Sequence, residues 1–82
     1  MKDFEKKLIE GAYKLKCQIE ASKHAIENRL QYDIDNEEAS LIEINIHAME
    51  ISYDCLIRRI EMRHLTKQYA DHCSNNNPDM PF

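Results

Sequence analysis

The chain has 82 residues, enough for one small domain whose own core is marginal unless oligomerisation or another source of stability supplements it. One Gly and two Pro, both Pro in the last five residues, leave nothing to punctuate a sheet, and 43% hydrophobic with 32% charged residues excludes a chain disordered for want of aliphatics. A formal net charge of −4 excludes a general DNA or RNA binder, which carries positive charge to displace counterions from phosphates.

Hydropathy narrows the class further. No run approaches the roughly 18 apolar residues of a membrane span, and the opening MKDFEKKL lacks the apolar region of a signal peptide, so a cytoplasmic location and no membrane partner are expected. Cys17, Cys55 and Cys73 are odd in number and lack C-x-x-C spacing, which argues against a disulfide framework and a zinc site. Cys17 and Cys55 read as small hydrophobes that pack.

In chain order, Asp3 is a candidate N-cap. Phe4, Leu8, Ala12, Leu15, Ile19, Ser22, Ile26 and Leu30 then follow at three- and four-residue steps, a heptad-like stripe that predicts the first helix. Gly11 interrupts it at a cost of about 1 kcal/mol relative to Ala, and packing rather than a ligand is its expected surroundings. Period is lost from Gln31 to Asn36, and Asp35 with Glu38 resembles a capping box with Asp in the Ser/Thr place.

A second helix is predicted from Asn36 to Cys73, ending before SNNNPDMPF. It carries one apolar stripe at Leu41, Ile44, Ala48, Ile51, Cys55, Met62 and Leu65, and another at Ile42, Ile46, Met49, Tyr53, Leu56 and Ile60. Two apolar faces require two sets of neighbours. At about 55 Å this helix also outruns the first by roughly ten residues. The expected architecture is all-α: an antiparallel helical hairpin with a long second helix over residues 1–73, assembling into a homo-oligomeric helical bundle, with residues 74–82 as a loose C-terminal tail.

Charge is segregated along this frame. Asp33 to Asp54 holds seven acids and no Lys or Arg, whereas Arg58 to Lys67 holds Arg58, Arg59, Arg63 and Lys67 against Glu61 alone. A turn centred near Asp33 and Ile34 sets Lys2, Lys6, Lys7 and Lys14 at the same end as those cations. That basic end is either a solvated face suited to the helix dipole or an anion site. Tyr13 and Tyr53 are expected to meet near it, where an aromatic can stack a base while cations take phosphates.

The same register sets Glu20 beside His47 and His24 beside Glu43, and Glu61-x-x-His64 has a di-iron bundle spacing. Only one such Glu-x-x-His occurs, and interhelical polar pairs account for the other four residues, so neither a metal nor a cofactor is expected. No Ser/His/Asp order, Gly-rich loop or isolated carboxylate pair suggests catalysis, and the expectation is a protein that is not an enzyme.

Ser52-Tyr53-Asp54-Cys55-Leu56-Ile57-Arg58-Arg59-Ile60 resembles the C-terminal helix of the phage anti-CBASS cyclic-nucleotide sponge family, whose run reads approximately Gly-Phe-Met-Ala-Leu-Thr-Arg-Ala-Val. A Pro and a terminal Phe close those proteins, as Pro81 and Phe82 close this chain. The likeness spans nine residues and the last two, with more residues between them here than in the family, and the first helix aligns only loosely. It implies a small helical, hexameric, non-enzymatic immune-evasion protein that sequesters cyclic dinucleotides or trinucleotides between subunits.

Arg58 is the cation that carries over by motif. Residue type and position add Tyr13 or Phe4 for base stacking and Lys14, Lys16 or Lys7 for phosphate. Tyr53 joins them, and Arg58 with Arg59 forms a second anionic site. The competing expectation is a small helical adaptor or inhibitor that docks its apolar surface and acidic ridge, Glu37, Glu38, Glu43 and Glu50, on a host protein.

Overall fold

A helix needs its first N–H groups and last C=O groups satisfied from outside its own ladder, and each boundary in this chain shows how that is done. A computed structural model describes residues 1–76, which form three helices and no strand: α1 (Asp3–Glu27), α2 (Asn36–Met62) and α3 (Thr66–Asn75). No helix among them is long and apolar enough to cross a membrane. Of the loose tail expected over residues 74–82, Ser74 and Asn75 instead belong to α3, and residues 77–82, with Met80, Pro81 and Phe82 among them, lie outside the described residues.

Lys2, not Asp3, is the N-cap of α1. The Glu5 carboxylate accepts the Lys2 backbone N–H at 3.0 Å, supplying the reciprocal half of a capping box without a capping hydroxyl. At the other end the Asn28 side chain donates to the His24 carbonyl at 2.9 Å and stops the helix three residues after its last buried residue, Ala25. The chain then makes one more loose turn. Asp33 takes a left-handed φ of 56°, and the Ile34 N–H reaches back to the Arg29 carbonyl at 2.8 Å. Leu30, expected on the apolar stripe, is thrown out of the helix here and is 92% exposed. Asp35 then caps α2 by accepting the Glu38 N–H at 2.8 Å.

The predicted single helix from Asn36 to Cys73 is broken at Arg63, His64 and Leu65. His64 has a left-handed φ of 58°. Its N–H bonds the Glu61 carbonyl at 3.0 Å, and the Leu65 N–H bonds the Ile60 carbonyl at 3.0 Å. This is the paired closure of a Schellman motif, with His where Gly is usual. Ile60 and Leu65, the two residues whose contact accompanies that motif, are 1% and 6% exposed. The break shortens α2 and turns α3 back onto α1, so the overhang inferred from length does not arise.

Glu5 meets Arg63 at 3.6 Å and Lys23 meets Glu50 at 3.2 Å, so α1 and α2 run in opposite directions. The core where all three helices meet consists of Leu8, Ile9, Ala12, Ile60 and Leu65, with Tyr53, Leu56, Ile57 and Tyr69 packed against it. Ile9 is absent from the predicted α1 stripe because that stripe serves one neighbour, and α1 has two. On α2, Ile46 and Ile60 are buried and Ile42, Met49, Tyr53 and Leu56 half-buried. The other stripe, Leu41, Ile44, Ala48, Ile51, Cys55 and Met62, is exposed; only Leu65, which lies beyond the break, is buried. Cys55, expected to pack as a small hydrophobe, is therefore on the surface.

Three substitutions test this account. His64→Gly removes the steric cost of a left-handed Cβ and is expected to stabilise by about 1 kcal/mol, read as a higher urea midpoint at unchanged slope. Leu65→Ala is expected to lose roughly 2–4 kcal/mol by the same measurement, because it empties the contact beneath the turn. A Cβ added at Gly11 meets nothing within 4 Å, so Gly11→Ala should stabilise by about 0.5–1 kcal/mol. A lower midpoint for Gly11→Ala shows that the glycine serves a contact outside this chain.

Candidate functional site

Helical spacing decides which side chains can line the seam between two antiparallel helices. Lys16, Ile19, Glu20 and Lys23 fall on one face of α1, and Glu50, Tyr53 and Asp54 face them from α2 around a surface groove of about 560 Å³. Tyr53 is held there from below, since its hydroxyl and that of Tyr69 on α3 are 2.8 Å apart. Of the predicted ligand residues, Lys16 and Tyr53 are thus brought together.

The electrostatics of this groove disfavour phosphate. Lys16 and Lys23 stand against Glu20, Glu50 and Asp54, and the Lys23 ammonium is already paired with Glu50 at 3.2 Å. An anion seated against these residues alone meets more negative than positive charge.

Tyr13 is placed differently from the expectation. It faces α3, where its ring meets His72 edge-on at 5.1 Å, and its hydroxyl is buried without a hydrogen-bond partner of good geometry, beside the Cys17 thiol. Desolvation, followed by the Cys17 contact, pushes its pKa from 10.0 up to about 12. Burial, then the hydrogen bonds with Tyr53 and Cys73, raises that of Tyr69 still further. Both phenols are neutral at physiological pH. Neither Tyr69 nor His72 stands out in a sequence read as one long helix, because that reading carries both away from α1.

At the basic end Arg59, Met62, Arg63 and Glu5 line a second groove, of about 470 Å³. Arg63 bridges to Glu5 at 3.6 Å and lies over the Phe4 ring at 4.2 Å, so this aromatic already has a cation on its face. Arg58 and Arg59 are exposed, as are Lys7 and Lys14. The expected meeting of Tyr13 with Tyr53 becomes a relay through α3, with Tyr69 on Tyr53 and His72 on Tyr13.

The Glu20, His24, Glu43 and His47 set is not gathered at one level. The extra turn after Asn28 shifts the register, so Lys23 rather than Glu20 meets the His47 to Glu50 turn. His24 sits against Asn28 and the Tyr32 ring, while His47 pairs with Glu50 at 3.7 Å. Among the described residues no group of three or more His, Cys, Asp or Glu side chains is placed to hold a metal ion.

The raised tyrosine pKa values carry a pH dependence. A group whose folded pKa lies above its unfolded value contributes stability that is complete below the unfolded value, here 10.0, and is lost as pH rises toward the folded one. Denaturant midpoints are expected to fall steeply between pH 10 and 12, with a shallower fall in Tyr13→Phe. An equal slope in that variant would show that Tyr13 ionises as readily in the folded chain as in the unfolded one.

No protein-family model, curated protein or solved structure matches this chain, so its reading rests on the residues themselves.

Proposed function

We propose that the chain is a non-enzymatic binding protein whose helical hairpins assemble into a homo-oligomeric bundle, sequestering cyclic dinucleotides or trinucleotides between subunits. Such a protein would blunt a host's nucleotide signalling, the role that the resemblance to phage anti-CBASS sponges implies. The observation that carries the reading is the exposed apolar face of α2, Leu41 to Met62, which runs directly into exposed Arg58 with Arg59 beside it. An assembly closing on that face puts both guanidinium groups at a subunit boundary, where planar forks take phosphate oxygens in pairs.

The acidic balance of the Lys16 and Tyr53 groove supports a ligand shared between chains. Those two residues supply one ammonium and one ring, and the positive charge an anion needs comes from arginines outside the groove. In the competing reading, adaptor or inhibitor of a host protein, the same face docks on a partner. Its supporting observation is that Glu37, Glu38 and Glu43 are exposed on the same helix.

Light scattering with and without cyclic dinucleotides and trinucleotides, combined with calorimetry, separates the two. The expected result is an oligomer that releases or absorbs heat with a cyclic nucleotide, and a loss of affinity of tenfold or more in Arg59→Ala at unchanged oligomer size. No heat with any of these nucleotides would remove the sequestration reading and leave the adaptor.

A further inference from the structure

Around α2, the apolar residues divide into opposite sides. One side packs on α1. On the other, Leu41, Ile44, Ile51 and Met62 are 62%, 65%, 67% and 69% exposed, and Ala48 and Cys55 are exposed with them. These positions recur at steps of three, four and seven, the spacing of a helix–helix seam. Two charged positions extend the same line: Glu37, four residues before Leu41, and Arg58, three after Cys55, both exposed. Between Glu37 and Arg58 the seam itself is uncharged, and its flanks hold Ser40, Asn45, His47 and Ser52, with Glu38 and Asp54 as the flanking carboxylates.

We propose that this seam pairs with the same seam of a second copy, with the two α2 helices antiparallel about a two-fold axis near Ala48. The proposal rests on the assembly reading above and specifies its geometry. Charge complementarity selects the occupant and its direction. A parallel pair stacks Glu37 on Glu37 and Arg58 on Arg58, with the helix dipoles aligned. An antiparallel pair brings the Glu37 of each copy within about a helical turn of Arg58 of the other, and opposes the dipoles. Ala48 lies midway between the two charges, where a small side chain lets two backbones approach at their crossing. Arg59 flanks the seam and is exposed in the single chain, and with Arg58 held by Glu37 of the other copy it is the guanidinium left free to take phosphate first.

The test uses the full chain in nucleotide-free buffer, so that it is independent of ligand binding. Sedimentation equilibrium is expected to show self-association that weakens roughly tenfold in Glu37→Lys and in Arg58→Glu. The double variant carrying both changes should recover to near the wild-type affinity, because swapping the charges restores the cross-copy pairs. Wild-type chain that stays monomeric at millimolar concentration overturns both this proposal and the assembly reading, and leaves the face to a tail or a different protein.

Self-association that is indifferent to the single reversals overturns the antiparallel seam but not assembly. A second measurement reads direction by cross-linking. With Cys17→Ser and Cys73→Ser in place, Cys55 is the sole thiol, and antiparallel pairing sets the two copies of it roughly 20 Å apart along the axis. Mild oxidation should then give little disulfide-linked dimer. Rapid, complete cross-linking through Cys55 overturns the proposal.

Discussion

The structure depends on one local closure, the left-handed turn at His64 that brings Leu65 under Ile60. Placing a β-carbon at φ 58° costs about 1–2 kcal/mol, whereas burying Leu65 and completing the burial of Ile60 contributes roughly 1.5–3 kcal/mol for each side chain. Burial wins, and the turn forms without glycine. Its consequence reaches well beyond three residues. With α3 folded back, Tyr69 can reach Tyr53 at 2.8 Å and His72 can meet the Tyr13 ring at 5.1 Å. Without it, α3 would continue along the α2 axis and the Ile9 side of α1 would face water.

The same closure explains why part of the fold is legible in the sequence and part is not. Periodicity reports which side chains share a helix face, so Leu8, Ala12 and Ile19 on α1 and Ile46 and Ile60 on α2 are found as core. Asp35 is found as a cap because its chemistry is local, a carboxylate three residues before the N–H it accepts. The break at His64 has no such mark. Neither Gly nor Pro stands near it, and the apolar period runs on through Met62 to Leu65 as though the helix continued. What stops the helix is a tertiary gain that only the folded chain displays.

Register fails for a related reason. A turn centred on Asp33 and Ile34 is nearly right as a location, but with the extra hydrogen-bonded turn between Asn28 and Ile34 the pairing nearer the turn is displaced, so that Lys23 meets Glu50, while Glu5 meets Arg63 at the expected level. Glu20, His24, Glu43 and His47 are therefore scattered, while Lys16 and Tyr53 line one groove near the middle of a long contact. Tyr13 is on the predicted helix and near the predicted level, yet faces another neighbour. Candidate residues chosen by type and level are recovered where one partner helix decides the face, and misplaced where a second partner competes for it.

The distribution of burial also bears on how this chain exists in solution. Among the described residues the buried hydrophobic side chains include three alanines, Ala12, Ala25 and Ala39, and the one large side chain that is almost wholly enclosed is Ile60. The face of α2 opposite α1 meanwhile leaves Leu41, Ile44 and Ile51 more than three-fifths exposed. Much of the branched aliphatic surface thus lies where this chain alone does not use it, and a core this thin gives a small margin over conformational entropy. Covering that face would add burial of the kind that the interior lacks. Were a second copy to cover it, as proposed above, stability and association would be one equilibrium, in which the melting temperature would rise with protein concentration and a loss on the exposed face would destabilise the fold.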